Sequence, residues 1–171
     1  GEARNQAVTM AEARWPDGQV MYAVNGLFIG SRSHISARYE IALGERREVQ
    51  SSSGVIVSTG LGSTGWMRSV LTGAMGVASS VRGKRWPWAF EATPWDRREL
   101  VFAVREPFPS RSSEATFVYG AVGEGETLVL TSRMAEHGVV FSDGIEADYL
   151  DFNAGTRLEV RVADRIGRVV I

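Results

Sequence analysis

Glycine and hydroxyl residues are concentrated in one short segment, STGLGSTGW at positions 58–66. The β-branched run at 55–57 predicts a strand before it, and an apolar pattern of helical period follows it. Glycines at 60 and 62 would let the chain bend so that several backbone amides point to one spot. Such amides at a helix N-terminus can bind a phosphate or another anion. The alternative is that the hydroxyls only form the turn and cap a helix beginning near Ser63 or Thr64.

This segment differs from the two common phosphate-binding loops. It lacks the lysine of a P-loop, and its glycines do not have G-x-G-x-x-G spacing. A hydrolytic serine is disfavoured as well, because no G-x-S-x-G elbow is present and His34 or His137 would have to serve as the base. If the segment binds a ligand, it therefore does so through hydroxyls and amides; the pattern alone favours this role and the turn-and-cap role equally.

One amphipathic helix and many short strands must position this loop. Apolar residues at helical spacing predict the helix from Trp66 to about Ala78. The predicted strands lie near residues 19–30, 33–43, 54–59, 99–106, 114–122, 126–132, 138–144, 158–164 and 168–171. Turn signals separate them, including Asp-Arg-Ile-Gly between the last two. The pattern indicates a mainly β domain of sandwich type over residues 19–171, preceded by a lead-in at 1–18 that is a short helix or disordered.

Composition places the chain among globular proteins and excludes several kinds of site. Its 171 residues, 44% apolar and 23% charged, fit one domain with a buried core. A net charge of −1 argues against nucleic acid as a partner, and no apolar stretch is long enough to span a membrane. The absence of cysteine excludes disulfides and thiolate metal sites and favours the cytoplasm. With two histidines, a histidine-rich metal centre is disfavoured.

Three other groups of residues could serve a ligand. Arg32, His34 and Arg38 are predicted to share one strand face, where they would contact phosphate or simply be solvated. The irregular segment 83–95 offers tryptophans for base stacking, although buried loop anchors or oligomer contacts are the favoured interpretation. Acidic residues between 143 and 151 lack EF-hand spacing, and their first Asp-Gly pair predicts a hairpin turn, so no metal site is predicted.

Three segments together resemble the C-terminal domain of the NAD kinase-like family. They are NGLFIG at 25–30, GVIVSTGLGSTGW at 54–66 and FSDGIEADYLDFNAGTRLEVRVAD at 141–164. Family members carry an Asn-Glu pair in a strand, a segment like D-G-x-I-V-S-T-P-T-G-S-T-A-Y, and a late D-G turn followed by paired strands. The resemblance covers about residues 22–171 and is closest to bacterial members described as predicted sugar kinases or NAD kinase-like proteins.

The resemblance implies a substrate site around the loop. Asn25 matches the family's asparagine, which faces the substrate ribose, and residues 64–66 stand where the family has Thr-Ala-Tyr beside the nicotinamide half. The implied substrate-binding residues are Asn25, Ser58, Thr59, Gly62, Ser63, Thr64, Gly65, Trp66 and Ser69. The strand pattern, independently of the resemblance, makes Arg32, His34 and Arg38 the candidate phosphate contacts.

Four positions depart from the family pattern. Gly26 replaces a glutamate and Ser53 an aspartate, while Gly60 and Leu61 replace a proline and a threonine. The two lost carboxylates would otherwise hydrogen-bond the ribose or the carboxamide. A site without them is expected to discriminate weakly or to bind another ligand.

The resemblance also implies a function for the longer protein. It would be a phosphotransferase that moves phosphate from ATP or polyphosphate, with Mg²⁺, to a hydroxyl of NAD or a sugar. The family's catalytic aspartate belongs to a G-G-D-G-T motif in an N-terminal α/β domain. This motif is absent here, so no catalytic residue is expected in this chain and it should be inactive alone. A cytoplasmic homodimer or homotetramer is implied; the alternative is a non-catalytic nucleotide- or ligand-binding domain that has kept the fold.

Overall fold

A computed structural model describes residues 4–171, in which twelve strands form two antiparallel six-stranded sheets. The first sheet has the order β2-β1-β12-β9-β4-β5: β1 (Asn5–Arg14), β2 (Val20–Ala23), β4 (Ala37–Leu43), β5 (Arg46–Ser52), β9 (Leu128–Ser132) and β12 (Arg157–Val170). The second has the order β11-β10-β3-β6-β7-β8: β3 (Gly26–Ser31), β6 (Val55–Ser58), β7 (Glu99–Val104), β8 (Tyr119–Gly123), β10 (Gly138–Ser142) and β11 (Tyr149–Asp151). A 3₁₀ turn (Leu61–Thr64) and the helix α1 (Trp66–Arg82) follow β6.

The main core lies between the two sheets. Ala37, Tyr39 and Ile41 alternate inward from β4, and Leu27 and Ile29 meet them from β3. This period of two is what the sequence predicted for β4, because alternate side chains of a strand face the same side. The predicted mainly β sandwich with one amphipathic helix is therefore confirmed.

A second, smaller core lies on the outer face of the second sheet, beneath α1. It consists of Phe28, Ile56, Met67, Ala103, Val139 and Phe141. Strand β3 is buried on both faces for this reason, since Leu27 and Phe28 point to opposite cores. The predicted helix is confirmed, but its second half stands away from the sheet, with Val77 65% and Val81 82% exposed. The helix thus covers the sheet mainly through its first turns.

The prediction of a short helix or disorder at 1–18 is wrong for residues 5–14, which form β1 in the interior of the first sheet. Residues 1–3 lie outside the described part of the chain. Alanine, methionine and glutamate are good helix formers, but here the chain pairs with β12, its partner from the opposite end of the sequence. Strand β12 is also continuous where a turn was predicted at 164–167. Thr9 pairs with Ile166 and Ala11 with Val162, so β12 has more residues than β1 between these two pairs and forms a bulge there. Strands β5 and β11 were not predicted either.

Glu12 is a buried carboxylate in β1 that pairs with two arginines. Its side chain is 2% exposed and bonds Arg14 and, at 2.9 Å, the Nε of Arg161. Burial opposes ionisation, but the hydrogen bonds from both arginines outweigh it and hold the pKa of Glu12 below its usual value. The ionised form is therefore the one that stabilises the fold.

We expect stability to fall at acid pH, and Glu12→Gln to remove part of that dependence. A lowered folded-state pKa contributes stability that is fully present above the ordinary glutamate pKa and lost as pH falls through the folded value. At neutral pH, Glu12→Gln should lower the free energy of unfolding by about 1.5–3 kcal/mol, as for a hydrogen bond to a charged group. Urea unfolding across this pH range measures both effects. An unchanged pH slope in the variant would contradict the assignment.

None of the helices in residues 4–171 has the length and apolar character needed to cross a lipid bilayer.

Candidate functional site

The segment between β6 and α1 forms one wall of a cavity of about 280 Å³, which we call the loop cavity. Asn25 and Gly26 form the facing wall, at the start of β3. Six of the predicted site residues line this cavity: Asn25, Ser58, Gly62, Thr64, Gly65 and Trp66. Phe28, Ile56, Met67 and Phe141 of the second, smaller core also line it, together with Leu27, Leu61, Asp143 and Gly144.

Two glycines of the loop, Gly60 and Gly62, are required by close packing between backbone segments. A Cβ atom on Gly62 would lie 1.9 Å from the carbonyl oxygen of Asn25, and one on Gly60 would lie 2.1 Å from that of Pro94. Gly60 has φ −58° and Gly65 φ −92°, so these two do not adopt the left-handed conformation. The loop is therefore pressed against two distant stretches of chain, and glycine is the residue that fits.

The buried hydroxyls of the loop hold this packing in place. Thr59 Oγ1 donates to the carbonyl oxygens of Val24 and Asn25 at 2.5 and 3.1 Å and accepts from the Gly62 amide at 3.2 Å. Ser58 Oγ donates to the Thr59 carbonyl at 3.0 Å. Both side chains are nearly inaccessible, 3% exposed for Ser58 and 2% for Thr59. Their hydroxyls fix the loop against the start of β3.

The predicted capping role of Ser63 or Thr64 is wrong. The α1 N-cap is Gly65, which makes no side-chain capping bond, and the 3₁₀ turn occupies the preceding residues. Ser63 Oγ instead accepts from the Thr93 amide at 3.1 Å, so it ties the aromatic segment to the loop. Thr64 is exposed and faces the loop cavity. Its hydroxyl is therefore available to a ligand.

Asp143 organises the opposite wall of the loop cavity. Its carboxylate accepts three backbone amides: Val24 at 3.0 Å, Asn25 at 2.6 Å and Gly26 at 3.1 Å. It lies in the turn between β10 and β11, with φ 53°, as the predicted hairpin turn requires. Among residues 4–171, Asp143 supplies the only carboxylate in the cavity lining, and it is already engaged. The turn at 24–26 is thus held by an acid 118 positions away.

Trp66 lies between the loop cavity and a second cavity, which Arg32 and Arg105 also line. Its ring stacks on Phe28, with centroids 5.6 Å apart and planes 11° apart, and the Arg105 guanidinium lies 5.2 Å from its centroid. Phe28 also stacks on Phe141 at 4.9 Å. Trp66 remains 41% exposed, so part of its ring is open to a ligand.

The other predicted substrate contacts are distributed differently. Thr59 and Ser63 line a separate cavity of about 240 Å³ on the far side of the loop, together with Glu91 and Glu99. Ser69 lines none of the cavities described in residues 4–171, and its hydroxyl is 3.4 Å from the Gly65 carbonyl. The loop therefore has two accessible sides.

The predicted phosphate clamp of three basic residues is not assembled. Strand β3 ends at Ser31 and β4 begins at Ala37, so Arg32 and His34 lie in the connecting loop and do not share a strand face with Arg38. Arg32 lines a cavity beside Trp66, whereas Arg38 lines another with Arg133 and His137. His34 lines none of the cavities described in residues 4–171.

The aromatic segment is irregular, as predicted, but its first tryptophans are not buried anchors. Trp86 is 50% exposed and Trp88 39% exposed. The segment is attached instead through its backbone, since the Trp95 carbonyl accepts from the Thr9 amide at 2.8 Å.

Residues 4–171 also contain no cluster of three or more His, Asp or Glu side chains that could hold a metal ion.

Sequence reasoning missed the apolar floor of the loop cavity and the role of Asp143. The floor comes from Phe28, Met67 and Phe141, which belong to three separate elements. A signal for it was present, because residues 27–29 are apolar at consecutive positions and so must be covered on both faces of the strand.

The fold resembles that of a known enzyme. The crystal structure of yeast NADH kinase complexed with NADH matches 98% of this chain with a TM-score of 0.71 and 15% sequence identity. The match covers 44% of the kinase, so this chain spans less than half of its length. No family model and no curated protein match the sequence. The likeness establishes the fold: the chain has the mainly β architecture of the NAD kinase C-terminal domain.

Proposed function

We propose that this chain is the substrate-binding domain of an NAD kinase-like phosphotransferase, and that the loop cavity binds its acceptor. The acceptor would be a nucleotide such as NAD or a sugar. The observation that carries the proposal is the convergence of Asn25, Thr64 and Trp66 on one cavity, in a fold shared with an enzyme crystallised with NADH. An apolar floor with a few polar groups at the rim is typical of small-molecule sites.

The chemistry of this domain would be positioning. Asn25 and the Thr64 hydroxyl can hydrogen-bond sugar hydroxyls, while the exposed part of Trp66 can pack against a planar ring. Holding an acceptor hydroxyl in line with a donor phosphate accounts for much of the catalysis in phosphoryl transfer. The donor, ATP or polyphosphate, and the catalytic aspartate would belong to another domain.

A divalent metal such as Mg²⁺ would neutralise phosphate charge in the complete enzyme. Residues 4–171 provide no cluster of metal-ligating side chains for it, and the carboxylate of Asp143 is occupied by three amides. We therefore assign no metal-dependent step to this chain.

Nucleotide binding is tested by calorimetry of this chain with NADH, NAD and ATP. We expect NADH or NAD to bind, and Trp66→Ala to weaken binding roughly ten-fold, as for the loss of one aromatic stacking contact. Phe108→Ala is the aromatic control, because that residue is 66% exposed and lines none of the cavities described in residues 4–171. Absence of binding at millimolar nucleotide would contradict the proposal that the acceptor is a nucleotide. Equal effects of the two variants would show that the nucleotide does not bind in the loop cavity.

A non-catalytic ligand-binding domain is the second candidate, and the structure contains an observation that favours it. Gly26 carries no carboxylate, and a Cβ there would lie 2.5 Å from the Val57 carbonyl oxygen, so this backbone has no space for a side chain. A phosphotransfer assay of the longer protein with ATP or polyphosphate and a panel of NAD and sugar acceptors separates the candidates. Ligand binding without transfer would favour the second.

Assembly into a homodimer or homotetramer, in the cytoplasm, is part of the same proposal. Val77, Val81 and Trp86 are all at least half exposed on α1 and the segment after it. Apolar side chains exposed together are typical of protein contacts. Light scattering of this chain and of Val81→Glu would test the assembly, and a monomer at high concentration would contradict it.

A further inference from the structure

Beside Trp66 lies a cavity of about 460 Å³, which we call the arginine cavity. It is larger than the loop cavity, at about 280 Å³, and opens on the outer face of the second sheet. Its polar lining is supplied by Ser31, Arg32, Arg105, Glu146 and Tyr149. The lining thus contains two guanidinium groups and one carboxylate, so the cavity carries a net positive charge.

Both guanidinium groups are held by aromatic rings and leave donors available. Arg32 Nη1 donates to the Tyr149 hydroxyl at 2.7 Å, and the Arg32 guanidinium carbon lies 4.8 Å from the Tyr149 ring centroid. Arg105 lies over Trp66. Within residues 4–171, neither arginine forms an ion pair, and the Arg105 guanidinium has no hydrogen-bond acceptor. Stacked arginines of this kind are pre-oriented donors for planar or tetrahedral oxyanions.

The two cavities share a wall. Phe28, Trp66 and Phe141 line both of them. The shared aromatic wall lowers the local dielectric constant on one side of the arginines, which strengthens their attraction for an anion next to it. A ligand in the loop cavity can therefore extend past Trp66 and place an anionic group beside Arg105.

We propose that the arginine cavity binds a phosphate group, so that the preferred ligand is a phosphorylated one whose uncharged part lies in the loop cavity. The position of the uncharged part rests on the proposed function, whereas the phosphate site itself rests on the two arginines. Each guanidinium contributes charge-assisted N–H bonds to the phosphate oxygens, and Ser31 and Tyr149 supply neutral donors beside them. Glu146 also lines this cavity, and because its carboxylate repels an anion, the phosphate is expected near the arginines and away from Glu146.

The experiment is an NMR titration of this chain with inorganic phosphate, AMP and adenosine. Inorganic phosphate should shift the amides of Arg32 and Arg105 and the indole N–H of Trp66, and added salt should weaken the effect. AMP should bind roughly ten-fold more tightly than adenosine, since a hydrogen-bonded ionic contact is worth at least that factor. The double variant Arg32→Gln, Arg105→Gln should abolish this preference and leave adenosine binding unchanged.

The double variant Arg85→Gln, Arg111→Gln is the charge-matched control, because both residues are exposed and line none of the cavities described in residues 4–171. All four arginines are at the surface or half-buried, so a spectrum with native dispersion is expected for each variant. Phosphate shifts that occur without adenosine binding would support the phosphate site and contradict the nucleotide acceptor. Equal affinities for AMP and adenosine, or a preference that survives in the double variant, would overturn the phosphate site.

Discussion

Replacing Gly62 with alanine should destabilise the fold and disrupt the loop cavity. The added Cβ would lie 1.9 Å from the carbonyl oxygen of Asn25 and 2.6 Å from its carbonyl carbon, so a backbone segment must move. Overpacking of this kind costs about 1–3 kcal/mol, occasionally more. The same carbonyl oxygen also accepts the amide and the hydroxyl of Thr59. Thermal and urea unfolding measure the loss of stability, and the amide shift of Asn25 reports the displaced wall.

Gly76→Ala is the matched control for this substitution. Gly76 lies in α1 with open space around the added methyl group, so alanine should stabilise the helix by about 0.5–1 kcal/mol. The two variants should therefore move the unfolding midpoint in opposite directions. Equal behaviour would show that the backbone contact at Gly62 is less tight than its geometry indicates.

Asp143→Asn should have the second large effect. The carboxylate accepts the amides of Val24, Asn25 and Gly26, and an asparagine can present only one oxygen to them. Its NH₂ group would then face an amide donor, which leaves that donor unsatisfied. We expect a loss of about 1.5–3 kcal/mol in the free energy of unfolding, as for hydrogen bonds to a charged group.

Asparagine is the informative replacement because Asp143 has φ 53°. Asparagine tolerates this left-handed conformation, so the variant isolates the hydrogen bonds from backbone strain. Asp148→Asn, on the exposed part of the same loop, should change stability by less than about 0.5 kcal/mol. If Asp143→Asn matched that control while ligand binding was retained, the carboxylate would not be organising the 24–26 turn.

The mainly β fold and the helix could be predicted because each depends on a local period. Alternation at 37, 39 and 41 indicated β4, and the helical spacing after Trp66 indicated α1. The glycine-rich loop was located for the same reason, since a strand, glycines and a helix follow one another directly. Strand β1 escaped prediction because its residues have no clear strand pattern, and pairing with β12 is what makes it extended.

The cavity walls depended on contacts that no local pattern contains. From the sequence, the loop glycines predicted a bend of the chain. In the structure, glycine is required at 60 and 62 because Pro94 and Asn25 pack against these two positions. Asp143 reaches Asn25 across 118 positions, and Arg32 meets Tyr149 across 117. Periodicity sets which face of a helix or strand is buried, and it can be read from residues that are close together in the sequence. Which side chains share a cavity is set by how the two sheets and the helix pack, and that is decided only when distant segments meet.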